Sequence, residues 1–180
     1  MGLNLHAVVR APIQSVNPDI MAAYLQSRGS VIQDDGSVLP AYAAPFYVRI
    51  QAQPPTGRDL RHAEYLNLQG VLRTVYLYSN PQAVDRVAAR GGDLLMFPQS
   101  RPHVVYDSQG RIVTNSEGLP VLSSAPLDLW LVSWVDEWYD AQALGWTKLI
   151  ATLQADGRQI VLNSNRLPVL NSQGALVTSQ

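Results

Sequence analysis

The segment Gln109-Gly110-Arg111-Ile112-Val113-Thr114-Asn115-Ser116-Glu117-Gly118-Leu119-Pro120-Val121-Leu122 recurs 48 positions later as Gly157-Arg158-Gln159-Ile160-Val161-Leu162-Asn163-Ser164-Asn165-Arg166-Leu167-Pro168-Val169-Leu170. A third stretch, Asn171 to Thr178, echoes Asp107 to Thr114. Each unit reads as a strand, a polar Gly-containing turn and a short strand ending in Leu-Pro-Val-Leu, the pattern of a β-hairpin. An isolated hairpin is only marginally stable, so such units must lean on something. Two or three copies are too few for a solenoid. The copies are expected to lie together, as a small β-appendage or as edge strands that pair with a neighbouring subunit.

The rest of the 180 residues also carries strand signals. Val, Ile, Tyr, Thr and Trp cluster in short runs between Gly, Pro, Asn and Asp. Strands are predicted near Leu5 to Ile13, Ala22 to Arg28, Phe46 to Gln51, Gly70 to Tyr78, Leu94 to Phe97, Leu127 to Trp138 and Trp146 to Gln154. Thr56 to Tyr65 is the best helix candidate, with Leu60, Ala63 and Tyr65 facing inward. Pro81 to Arg90 reads equally as helix or irregular strand. The expected fold is mainly β: a small barrel or sandwich with one short helix and a repeated β-hairpin appendage. Residues 1–99 and 126–154 form the core, 100–125 a hairpin insertion, and 155–180 a C-terminal arm repeating it.

Chemistry-bearing patterns are scarce. Cysteine is absent, which excludes disulfides, thiol catalysis and cysteine-ligated zinc. His6, His62 and His103 lack the spacing of a metal site. The His62-x-Glu64 pair reads as an exposed helix edge. A phosphate loop would need Gly-Lys-Ser/Thr, whereas the only lysine is Lys148. Asp136, Glu137 and Asp140 form the densest carboxylate group, best read as a solvated strand end. Gly91-Gly92-Asp93 reads as a tight turn whose glycines permit positive φ. Trp130, Trp134 and Trp138 recur every four residues, which predicts one face of a strand: a core face, or a platform for sugar rings. No catalytic residue, cofactor or metal is expected.

Net charge is −1, so the overall balance does not draw the chain toward nucleic acid or an anionic membrane. Arginine supplies every cation except Lys148, and its planar fork suits protein interfaces. Arg58, Arg61 and His62 on the helix candidate, Arg111 and Arg158 on the arms, and Leu176 and Val177 on a free C-terminal strand are the expected interface residues. The N-terminal residues lack a basic, then apolar, signal pattern, and no apolar run approaches a membrane span.

From Leu3-Asn4-Leu5-His6-Ala7-Val8-Val9-Arg10 and Val16-Asn17-Pro18-Asp19, the chain resembles a family of small phage proteins encoded among head and neck genes. The likeness continues through Asp59-Leu60-Arg61-His62, Leu66 to Arg73, Val75-Tyr76-Leu77 and Gly91 to Pro98, and closes with Leu129 to Trp138 and Leu149 to Gln154. About two-thirds of the chain is similar in this way. Ser100 to Ala125 looks like an insertion and Ala155 to Gln180 like an extension, which are the two copies of the repeat. The resemblance implies a neck, collar, head-closure or head-tail connector protein: a structural β-barrel forming a homo-oligomeric ring. Its partners would be the portal or adaptor and the tail proteins, with DNA passing through without specific binding. It would reside in the virion, assembled in the host cytoplasm, with no membrane contact. The alternative is a carbohydrate-binding or adhesin-like module using Trp130, Trp134 and Trp138. On the sequence alone, deleting Ala155 to Gln180 is expected to leave a folded barrel that assembles poorly.

Overall fold

The structure, a computed structural model, describes residues 17–32, 35–68, 70–85, 91–98, 104–121, 127–138, 146–154 and 159–179, with backbone alone for Glu137, Trp138, Gln159 and Ser179. The strand predicted at Leu5 to Ile13 lies outside these residues, as do His6, His103, Asp140, Arg158 and residues 86–90.

Six strands close into an antiparallel barrel: β1 (Ile20–Leu25), β4 (Phe46–Gln53), β5 (Leu72–Leu77), β8 (Thr147–Leu153), β7 (Asp128–Trp138) and β6 (Leu94–Phe97), in that order around the wall. β6 pairs back onto β1 through Ala23 with Met96, Tyr24 with Leu95 and Leu25 with Leu94. Closure leaves no free edge in the wall, which removes the aggregation hazard of an open sheet. Two further strands, β2 (Ser27–Ile32) and β3 (Val38–Tyr42), make a hairpin outside the barrel. Helix α1 (Gly57–Tyr65) bridges β4 and β5.

Side-chain alternation sorts the wall into two faces. Inward go Ala22, Tyr24, Ile50, Val75, Leu77, Leu95, Phe97, Trp130, Val132, Leu149 and Ala151, all essentially inaccessible to solvent. Phe97 and Trp130 stack with ring centroids 4.8 Å apart, and the Trp130 indole N–H donates to the Phe97 carbonyl at 3.0 Å. The barrel is thus filled by side chains and is not a pore. The intervening residues of β1 and β6, Ala23, Leu25, Leu94 and Met96, are buried as well, on the outer face. Strands covered on both faces read as unbroken apolar runs, which explains Ala22-Ala23-Tyr24-Leu25 and Leu94-Leu95-Met96-Phe97.

The strand predicted over Ala22 to Arg28 is the end of β1 and the start of β2, with Gln26 at the corner between them. Gly91 and Gly92 do not adopt positive φ, contrary to the sequence expectation. A Cβ on Gly92 would lie 2.5 Å from the Val132 carbonyl oxygen, so close backbone approach is what requires glycine there. That approach delivers Asp93 into a nearly closed site, where it accepts hydrogen bonds from the Tyr24 hydroxyl (2.5 Å), the Ser27 amide (2.7 Å) and the Gln82 amide (2.8 Å). Three donors satisfy this buried carboxylate and fasten β1, β2 and the segment before β6 to one another. Burial, and then Asp93, push the Tyr24 phenol far above its ordinary range, so it stays a donor.

Candidate assembly surfaces

The repeat folds as two small knobs built from one eight-residue unit. The first, 104–121, lies between β6 and β7; the second, 159–179, follows β8 and contains β9 (Gln159–Ile160) and β10 (Thr178–Ser179). In each unit an Asp or Asn starts the turn and its side-chain oxygen accepts two backbone amides. Asp107 Oδ1 takes those of Gln109 and Arg111, Asn115 those of Glu117 and Leu119, Asn163 those of Asn165 and Leu167, and Asn171 those of Gln173 and Ala175, all at 2.8–3.0 Å. This is the local Asx chemistry that makes such residues turn formers. The fourth turn residue sits in the left-handed region: Gly110, Gly118 and Gly174 at φ 76°, 77° and 81°, but Arg166 at φ 59°. Arg166→Gly is therefore expected to relieve about 1 kcal/mol of backbone strain and raise the urea midpoint accordingly.

Valines eight residues apart then close each knob. The Val105 amide donates to the Val121 carbonyl, Val113 to Val105 and Val121 to Val113, at 2.8–2.9 Å. Val161, Val169 and Val177 form the same cycle at 2.9–3.0 Å. Three hairpin-like corners surround a pseudo-threefold axis: Leu162 with Pro168, Leu170 with Leu176, and Ile160 with Thr178 at the corner where the chain enters and leaves. In the first knob the pairs are Tyr106 with Ile112 and Thr114 with Pro120. A simple two-stranded hairpin, the sequence expectation, is replaced by a closed trio because each unit's valine finds its partner in another unit.

The knobs differ in what covers them. Ile160, Leu162, Leu167, Leu170 and Leu176 of the second pack on the outer barrel face over Ala23, Leu25, Leu94 and Met96. The Tyr42 amide donates to the Gly174 carbonyl at 2.8 Å, and a Cβ on Gly174 would lie 2.9 Å from the Tyr42 carbonyl oxygen. The Tyr47 hydroxyl donates to the Asn165 carbonyl at 2.6 Å. The C-terminal strand is therefore not free, and Leu176, expected at an intersubunit interface, is turned to its own barrel; Val177 is engaged in the valine cycle. In the first knob Tyr106, Ile112 and Leu119 remain exposed, and none of its described residues joins the barrel's apolar clusters.

Helix α1 presents a second surface. Thr56 caps it, its hydroxyl accepting the Asp59 amide while Asp59 accepts the Thr56 amide. Asp59 is 1% exposed, whereas Leu60 and Tyr65 are 45% and 89% exposed, reversing the expected inward face except at Ala63. The reason is electrostatic. Asp59 also accepts from Lys148 Nζ at 2.8 Å and the Thr74 hydroxyl at 3.0 Å, and Lys148 donates to Asp136 as well. Burial alone would raise the Asp59 carboxyl, but Lys148, Thr56 and Thr74 outweigh it and hold it at about 2. The ion triad clamps the helix to β7 and β8, and Asp136, expected at a solvated strand end, belongs to it. Arg58, Arg61 and His62 are left on the outside, with the His62 imidazole stacked 4.0 Å from the Trp134 ring.

That stack exposes another departure. Trp130 points into the barrel and Trp134 out under the helix, because β7 bulges between Val132 and Trp134. One extra residue on a strand flips the side chains beyond it to the other face. The aromatic row expected from four-residue spacing does not form between these two, and the Trp138 side chain lies outside the described residues. A cleft of about 370 Å³ opens between the β2–β3 hairpin and the second knob, lined by Arg28, Tyr42, Pro45, Leu170, Ser172 and Gln173 among others. Burial, and then Asp93, push the Tyr42 phenol up to about 12, so it stays protonated near neutral pH. Arg111 lies on the first knob, 72% exposed and paired with Asp107 at 2.9 Å. Among the described residues no group of three His, Asp or Glu side chains is placed to hold a metal.

No protein-family model matches the chain, and no curated protein matches it.

Proposed function

We propose that this chain is a structural subunit of a tailed-phage neck, forming a homo-oligomeric ring between portal or head and tail through which DNA passes. The observation that carries the reading is the unequal fate of the two knobs. One covers an apolar wall of its own barrel, while the other, built on the same pattern, keeps Tyr106, Ile112 and Leu119 in solvent. A chain that makes two docking modules and uses one internally has the other free for a contact outside itself. The resemblance of its barrel strands to neck proteins supplies the context for that contact. Because the barrel interior is filled, a DNA channel would run between subunits rather than through one. A net charge of −1 suits a lumen that must not grip phosphates, since every such contact adds affinity and retards sliding.

The rival, a carbohydrate-binding module, needs exposed aromatic platforms. Trp130 is inaccessible and Trp134 is covered by His62, which lends that reading no support. Electron microscopy of the purified protein, and of virions labelled on this chain, is expected to reveal a symmetric annulus at the head-tail junction. A protein that stays monomeric at high concentration and is missing from the neck would overturn the proposal.

A further inference from the structure

We infer that the first knob of one copy docks on the tip of the β2–β3 hairpin of the next, so that copies join head to tail. The inference deepens the ring reading and rests on it. Within one chain the hairpin already binds a knob. Its base strand meets the last turn of the second knob through the Tyr42 amide and the Gly174 carbonyl, with Ala41 and Tyr42 buried against that turn. Moving outward from this interface, the same hairpin carries Leu39, Val38 and Ile32, which are 38%, 61% and 74% exposed, with Ile32 directly opposite Val38. A two-stranded hairpin is marginal alone, and aliphatic side chains exposed just before its polar turn, Asp35-Gly36-Ser37, call for a cover.

The first knob offers what the hairpin base already accepts. Its turns Asp107 to Gly110 and Asn115 to Gly118 have the same capped, left-handed geometry as Asn171 to Gly174. A Cβ built on Gly110 or Gly118 meets nothing within 4 Å, so both turns are open to an approaching strand. Beside them Tyr106, Ile112 and Leu119 are 60%, 49% and 58% exposed. The partner is a second copy of this chain, because the hairpin already accepts, within one chain, a knob turn of the same build as those the first knob leaves open. A contact between two unlike patches is heterologous, and repetition with a closing rotation generates a ring.

Three proteins test this by analytical ultracentrifugation, with circular dichroism as the folding control: the unaltered chain, Ile32→Asp with Val38→Asp, and Ile112→Asp with Leu119→Asp. If aspartate unfolds either patch, serine at the same positions replaces it. Each altered protein alone is expected to associate about 10-fold or more weakly than the unaltered chain. Mixed in equal amounts, they are expected to form a one-to-one dimer and nothing larger, since the mixture holds one intact tip facing one intact knob. A tip-altered protein that still assembles, or a mixture that stays monomeric, overturns the inference. If the annulus persists in both altered proteins, the ring stands and this contact falls; if the unaltered chain never associates, both fall.

Discussion

Replacing Lys148 with methionine is expected to lower stability by about 3–5 kcal/mol, the cost of leaving buried carboxylates without their cation. The ammonium is shared by Asp59 and Asp136, whose side chains are 1% and 4% exposed. Methionine keeps most of the volume of the lysine stem, so packing contributes little to the loss. The pH dependence separates charge from shape. The Asp59 carboxyl stands at about 2 in the folded protein against an ordinary value of 3.8, a difference of about 2 kcal/mol. A depressed carboxyl stabilises the fold above its unfolded value, and that contribution drains away as pH falls from about 4 through about 2. Lys148 is raised: burial lowers it, but Asp136 and Asp59 together prevail. Its contribution is full below 10.5 and fades as pH rises past the folded value. Urea unfolding of the unaltered chain should therefore give a plateau between these limits. In Lys148→Met the Asp59 carboxylate loses the cation that lowers it, so acid costs the variant less and the gap between the proteins narrows toward about pH 3. A deficit below about 1 kcal/mol at about pH 7 would mean that water already screens the triad.

The triad also marks where the sequence is silent. Thr56 and Asp59 form a capping box visible in the sequence, and the predicted helix lies within a residue of its observed bounds. Its orientation does not follow from the pattern, because the polar residue Asp59 is the one driven inward, by a lysine 89 positions away. Strands buried on both faces, β6 and β8 above all, are legible because Leu94-Leu95-Met96-Phe97, set between Gly91-Gly92 and Pro98, and Leu149-Ile150-Ala151 are apolar runs too short for a buried helix. The β2–β3 hairpin escapes prediction, since Gly29 and Pro40 interrupt its strand pattern and its tip is solvent-exposed. The bulge in β7 between Val132 and Trp134 leaves no sequence signature, and it alone separates Trp130 from Trp134. The knobs are half legible. The 48-residue offset is plain in the sequence, yet the eight-residue spacing of Asp107, Asn115, Asn163 and Asn171 within each knob, and of the valines between them, is the period that determines the shape.

That shape changes the expected outcome of removing Ala155 to Gln180. The second knob does not dangle from the barrel; its five aliphatic side chains cover Leu25, Leu94 and Met96 on the wall, with Leu127, Leu129 and Leu131 at the margin. Burial of a side chain of this size stabilises by about 1.5–3 kcal/mol when complete, and about half that when partial. Stripping these five side chains from the wall, and uncovering the apolar surface beneath them, approaches the whole stability of an ordinary domain, about 5–15 kcal/mol. The truncated chain is accordingly expected to aggregate or bind a hydrophobic dye on expression, not to remain a folded barrel that assembles poorly. Gly174→Ala approaches the same end by degrees. Its Cβ would lie 2.9 Å from the Tyr42 carbonyl oxygen at a φ of 81°, forcing knob and hairpin apart at one point while the leucine packing remains. Its expected cost is about 1–3 kcal/mol, read as a lower urea midpoint with an unchanged slope. A truncated protein that stays soluble and unfolds with the midpoint of the full chain would show that the wall tolerates solvent and that the knob's burial contributes almost nothing.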